Sequence, residues 1–174
     1  MFFCVLLSAS CENDLKQVKI VTATDSTPDE IVNNMHTLYS DSGIVKFEIK
    51  ATRMEKFHGE REVTIFKDGF EVNFFKGKDK IESKLTANYG EMRTTEKKII
   101  ARNNVIFTNF LEDQTLKTEE LTWLQATKRI TTDKRYYLDD RKEHYKAWGK
   151  GFEADETFTH YITHKAGLEK EIED

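Results

Sequence analysis

The 174-residue chain carries 27 Lys and Arg against 31 Asp and Glu, a formal net charge of −4, with 38% hydrophobic and 33% charged residues. That is enough chain for one domain with a tail at either end, and the acidic balance leaves no basic excess to neutralise phosphates, which argues against nucleic acid as a partner. The single Pro argues against a Pro-rich linker protein, and the two cysteines, Cys4 and Cys11, can neither staple the domain nor supply a zinc site.

Met1 to Ser10 reads MFFCVLLSAS. As a helix it would reach about 15 Å, against a hydrocarbon core of about 30 Å, so it cannot span a membrane. An apolar run ending in small residues reads instead as a signal peptide over residues 1–10. Ser8-Ala9-Ser10-Cys11 resembles the bacterial lipobox, which makes Cys11 the expected lipidation site and the lipid its expected attachment to a membrane. The polar stretch behind it, up to residue 30, reads as a tether.

Next comes a segment with two faces to its pattern. Thr27-Pro28-Asp29-Glu30 is a helix-start signal, and Ile31, Met35 and Leu38 have helical spacing. From Gly43 onward the pattern changes to strict alternation. Val45, Phe47 and Ile49 interleave with Lys46, Glu48 and Lys50; Phe70, Val72 and Phe74 with Glu71 and Asn73; Ser83, Leu85 and Ala87 with Lys84 and Thr86. A period of two gives each strand one apolar and one wet face. Turn signals at Asp41-Ser42-Gly43, Lys67-Asp68-Gly69, Gly77-Lys78-Asp79 and Asp139-Asp140 separate the runs. With no amphipathic helices between them, the strands imply an antiparallel, all-β domain over residues 31–165. Residues 166–174 read as an acidic tail, helical in look from Gly167.

An internal repeat runs through the second half. The stretch from Leu85 through Ile99 to Phe107 aligns with Leu116 through Ile130 to Leu138 at a constant shift of 31 residues, and a looser third copy starts near Phe152. Each unit reads as a strand out, a turn and a strand back.

Five motifs in this order resemble the LptC/LptA/OstA-like family: Leu38–Gly43 with Phe47-Glu48-Ile49-Lys50-Ala51; Ala87-Asn88-Tyr89 with Ala101–Val105; Thr118-Glu119-Glu120-Leu121; Arg129-Ile130-Thr131-Thr132-Asp133; and Trp148-Gly149-Lys150-Gly151-Phe152. The resemblance spans roughly residues 35–161. It implies a single β-jelly-roll with a slit open between its two sheets, and on that precedent Ile31 to Tyr39 is expected as a strand. It implies transport without catalysis or cofactor: lipopolysaccharide accepted from an LptB–LptF–LptG transporter and passed to an LptA-like periplasmic bridge protein. The location implied is the periplasm, at the inner membrane, with the outer membrane as the alternative. Better-known LptC proteins hold the membrane through an N-terminal helix, whereas here Cys11 would do so. The expected slit-lining, lipid-binding face is Val45, Phe47, Ile49, Phe70, Val72, Phe74, Leu85, Ile99, Val105, Phe107, Leu116, Leu121, Ile130 and Phe152.

Other constellations fail. Glu119-Glu120 and Asp139-Asp140 are adjacent in strands, hence on opposite faces, and are expected as solvated surface. His160 and His164 have metal-ligand spacing only on a helix, and the alternation from Thr157 to Thr163 reads as a strand. Lys97-Lys98, Lys128-Arg129 and Lys134-Arg135 read as solvated turns or as contacts to lipid phosphates at the slit rim. The competing reading is a surface β-sandwich lipoprotein that binds carbohydrate or protein. It expects a tight core with aromatics such as Trp123 or Trp148 on an outer face.

Overall fold

The computed structural model describes residues 27–59, 62–77, 80–156, 158 and 160–170. The expected signal peptide, Cys11 and most of the tether lie outside the described residues. Alternation becomes strand throughout: β1 (Glu30–Asp41), β2 (Ile44–Phe57), β3 (Val63–Lys76), β4 (Lys80–Ala87), β5 (Tyr89–Arg93), β6 (Lys98–Asn109), β7 (Gln114–Leu124), β8 (Arg129–Asp140), β9 (Tyr145–Asp155) and β10 (Tyr161–Lys170). In β4, for example, Ser83, Leu85 and Ala87 are buried while Glu82, Lys84 and Thr86 are partly exposed.

The strands make one antiparallel sheet in the order β1-β2-β3-β4-β6-β7-β8-β9-β10, with β5 between β3 and β6 beyond the end of β4. Among the described residues β1 pairs with β2 alone and β10 with β9 alone, so the sheet has two free edges.

A line of backbone irregularities crosses the sheet and folds it over. Register shifts fall at Ala51/Arg53 in β2, Arg102/Val105 in β6, Thr118/Thr122 in β7 and Thr132/Arg135 in β8. At the same level Asn34, Asp68, Asn103, Asn104 and Gly151 have positive φ, and the chain steps at Asn88 from β4 to β5. Bulges and left-handed residues bend a strand and raise its twist, so each long strand contributes half its length to each of two layers. That the layers face each other is fixed by Trp123 of β7, which packs on Phe47 of β2 and Phe74 of β3, strands that are not its sheet neighbours. The all-β, antiparallel jelly-roll expectation stands.

The helical look of residues 31–38 gives way to β1, whose residues pair along nearly the whole of β2, Ile31 opposite Glu55 and Tyr39 opposite Phe47. A helix there would satisfy its own backbone but leave the β2 edge and the Phe47 ring uncovered; tertiary pairing overrides local spacing.

The repeat is real in space. β6 and β8 are shifted by 31 positions at both ends, as are β7 and β9. The turns 94–97 and 125–128 carry positive φ at Lys97 and Lys128, and 110–113 and 141–144 carry it at Asp113 and His144. Asn109 Oδ1 accepts from the Leu111 and Glu112 amides at 2.9 and 3.1 Å, and its counterpart Asp140 accepts from the Glu143 amide at 2.9 Å. Asp140 therefore corrects the expectation of a solvated carboxylate pair: it is 2% exposed and takes a 2.6 Å hydrogen bond from Gln114 Nε2. The Asp139-Asp140 turn signal likewise marks the end of β8, the turn itself being residues 141–144.

β10 occupies the place of the third copy. Residues 166–170, expected as a helical-looking tail, are strand, with Ala166 opposite Gly149 and Leu168 opposite Ala147. Gly167 belongs there because Trp148 lies across it; a Cβ would meet the indole at 2.7 Å. Phe158 and His160 precede β10 rather than forming part of it.

Candidate functional site

Of the fourteen residues expected on the apolar face, ten fall in one interior cluster: Ile49, Phe70, Val72, Leu85, Val105, Phe107, Leu116, Leu121, Ile130 and Phe152, each at most 5% exposed. Phe47 and Phe74 are partly buried and pack against it. Ile99 is buried at 4% exposure, directly opposite Trp123, and Val45 is half-buried towards the open end of β2. The face read from alternation is thus the inner face of the folded sheet. In this structure it is closely packed.

Its most ordered feature is aromatic. Tyr39 stacks on Phe47 at 4.6 Å between ring centres; Phe47 and Phe74 are 6.3 Å apart, Phe74 and Phe107 6.5 Å. Phe107 stacks on Phe158 at 4.0 Å, Phe158 lies 5.6 Å from Phe152, and Phe152 stacks on Tyr161 at 5.4 Å. The series begins on one edge strand, β1, and ends on the other, β10. Such pairs add about 0.5–1.5 kcal/mol each beyond their buried area.

Four members of the interior escaped the sequence pattern. Phe158 lies outside any strand, held by its amide's bond to the Asp155 carbonyl at 3.1 Å, yet it is 1% exposed. Tyr136 and Leu138, 3% and 0% exposed, share the face. Trp123 is the instructive case. Counting by twos from Leu116 puts it on the outside, where the competing reading expected it. The register shift between Thr118 and Thr122 flips the remainder of β7, so that Leu121 and Trp123 turn inward. Trp148 does stand outside, 46% exposed, opposite Tyr137.

The outer face opposite Phe47 is polar and connected. Glu48, whose side chain is 12% exposed, accepts from Asn73 Nδ2 at 2.9 Å and pairs with Lys50 at 3.0 Å and with His36 of β1 at 2.5 Å. The Asn73 hydrogen bond first, then the Lys50 ammonium and His36, against the cost of burial, hold its carboxyl down to about 2. Glu55, 4% exposed, is held below the usual carboxylate range by Lys67 at 2.7 Å and, after burial opposes it, by Arg53 at 2.8 Å. These are ties within β2 and from it to β1 and β3, with no geometry of nucleophile and base among them. Among the described residues no three His, Cys, Asp or Glu side chains gather as metal ligands; His160 pairs with Asp155, and the His164 ring lies beside Gly151.

A family model described as lipopolysaccharide-assembly, LptC-related, matches residues 1–157. The chain belongs to the LptC family. No curated protein matches it significantly. Membership brings a role in lipopolysaccharide transport, association with lipopolysaccharide and the Lpt transport complex, and a periplasmic, inner-membrane-associated location in general terms. It also makes the folded, aromatic-lined interior of this LptC-family domain the candidate site, since that interior is where apolar surface is concentrated.

The Glu48 network ties the free edge strand β1 to the body of this domain, and its effect has a definite sign with pH. A carboxyl held near 2 instead of 4.5 stabilises the fold above pH 4.5, by roughly 3 kcal/mol on linkage arithmetic. That stability is lost as pH falls from about 5 towards 2. Glu48→Gln should lower stability at pH 7 by on the order of 2 kcal/mol and flatten the acid limb of a denaturant-midpoint-against-pH curve between pH 5 and 3. An unchanged acid limb would remove Glu48 from the account.

Proposed function

We propose that this LptC-family domain receives lipopolysaccharide from an LptB–LptF–LptG transporter at its β1 edge, holds the acyl chains between its two layers, and delivers them to an LptA-like bridge protein at its β10 edge. One observation carries the reading: the aromatic interior runs without interruption from one edge strand to the other. Burial of each methylene is worth about 0.8 kcal/mol, so a chain of about a dozen carbons gains on the order of 10 kcal/mol gross, enough to favour moving through such an interior over crossing water. An edge strand with free backbone donors and acceptors recruits a further strand by pairing, which would extend the interior into the next domain. The fourteen slit residues take the acyl chains once the layers part. Lysines in the exposed turns, among them Lys97 and Lys128, stand ready for phosphates. No step of this calls for catalysis or a cofactor. Cys11, once lipidated, tethers the domain to the inner membrane; two or more acyl chains suffice for stable attachment, where one is marginal.

A second reading, a saccharide- or protein-binding module, is favoured by the Tyr137–Trp148 pair, both ring systems lying exposed on the outer face. A photo-crosslinking residue decides between them. Placed at Phe47, inside, it should capture lipopolysaccharide; at Glu48, next in sequence and outside, it should not. Capture at Glu48 and not at Phe47 favours the module.

Delivery is tested by ending the chain after His160, which removes β10 but keeps Phe158 in its seat. The shortened protein should lose an LptA-like partner in a pull-down and retain the transporter; undiminished partner binding sinks the edge-pairing route. The anchor is tested by Cys11→Ala, which should abolish incorporation of a palmitate analogue. Equal labelling of mutant and wild type rejects Cys11 as the lipidated residue.

A further inference from the structure

The indole Nε1 of Trp123 is buried and, among the described residues, has no hydrogen-bond acceptor. Leaving a donor buried and unpaired costs about 1–3 kcal/mol, and most such groups in native proteins find a partner. Its ring contacts and its cross-strand neighbours are aromatic or aliphatic. Phe47 and Phe74 stand against it in T-shaped contacts at 6.1 and 5.5 Å, and Ile99 and Ile130 are its cross-strand neighbours. A phenyl ring would fill much of the same space without the cost. The N–H is therefore a feature that packing does not explain.

Its position suggests what it meets. The aromatic group that holds it is not fully covered: Tyr39 is 52% exposed, and Phe47, Phe74 and Trp123 are only partly buried. The chain of rings beyond it, from Phe107 onward, is at most 2% exposed as far as Phe152. A lipid whose hydrocarbon lies in the deep part has its oxygen-bearing linkage nearer the opening.

We propose that Trp123 is a lipid-positioning residue whose indole N–H donates to an oxygen of the acyl region, an ester or amide carbonyl or a chain hydroxyl, as the lipid seats between the layers. The inference rests on the lipopolysaccharide-transfer reading and adds to it a specific polar contact within a largely apolar interior. Trp123 thereby sets how deep a chain slides and discriminates acylated lipids from plain hydrocarbon, because an unpaired donor is satisfied by the first and left orphaned by the second.

The test uses the full chain and anisotropy of fluorescently labelled lipopolysaccharide. Two variants remove the donor: Trp123→Phe, and Trp123→3-benzothienylalanine, which keeps the bicyclic shape with sulfur in place of N–H. Both should bind about tenfold more weakly than wild type, the equivalent of one hydrogen bond, while melting within a few degrees of it. Wild-type affinity in the benzothienyl variant overturns the proposal and leaves lipopolysaccharide transfer untouched. A loss of binding that accompanies a large fall in melting temperature in both variants also overturns it, as it assigns Trp123 to packing. If the wild type itself fails to bind, the transfer reading fails first and this inference with it.

Discussion

Everything in this domain depends on one constraint, that a single antiparallel sheet must fold on itself along a line of bulges. The apolar face of an open sheet of this width cannot be buried by the sheet while it stays flat. Bending each long strand at its middle brings the two halves of that face together and leaves the backbone ladder intact on either side of the crease. The crease is built from residues that tolerate it: Asn34, Asp68, Asn103 and Asn104 take left-handed backbone angles, which short polar side chains stabilise by bonding locally. Gly151 takes one where no side chain would fit, since a Cβ would come within 2.9 Å of the His164 ring.

The same construction makes the interior continuous with the two edges. A closed barrel would remove its edges and seal its contents. A folded sheet that does not close keeps, among the described residues, the outer edges of β1 and β10 free at opposite ends of the strand order, and lays its ring series between them. The outer faces supply strand-to-strand ties such as Glu48 with His36 and Asn73, or Arg102 with Glu91 and Glu120 at 3.0 and 2.6 Å. Cohesion carried on the outside leaves the interior free to be largely apolar, the Trp123 indole N–H and the Tyr136 hydroxyl being buried polar atoms within it.

How much of this was legible depended on whether a residue lay before or after a bulge. Phe47, Phe70, Val72, Phe74 and Leu85 lie in unbroken alternation and were assigned to the inner face by counting in twos. Trp123 lies beyond the shift in β7, where the count inverts, and nothing in the Thr118–Leu121 composition announces the inversion. Phe158 had no period to belong to, and its place in the ring series comes from the turn after β9. Asp140 looked like half of a solvated acidic pair, but it is the repeat counterpart of Asn109 and caps a turn from a buried position.

By itself, the sequence determined that the chain is all-β, antiparallel and repetitive, where much of the apolar face lies, and which family its motifs resemble, because side-chain alternation and turn chemistry are local properties written residue by residue. The family resemblance, not the local spacing, pointed to a strand at Ile31 to Tyr39, and the tertiary structure shows the pairing that makes it one; only the tertiary structure decided that β10 continues through residue 170 and that Trp123 faces inward. Each of these is settled by a partner distant in sequence: β2 for β1, β9 for β10, and Phe47 and Phe74 for Trp123. A pattern along the chain carries no record of the bulge or the neighbour that decides which way it turns.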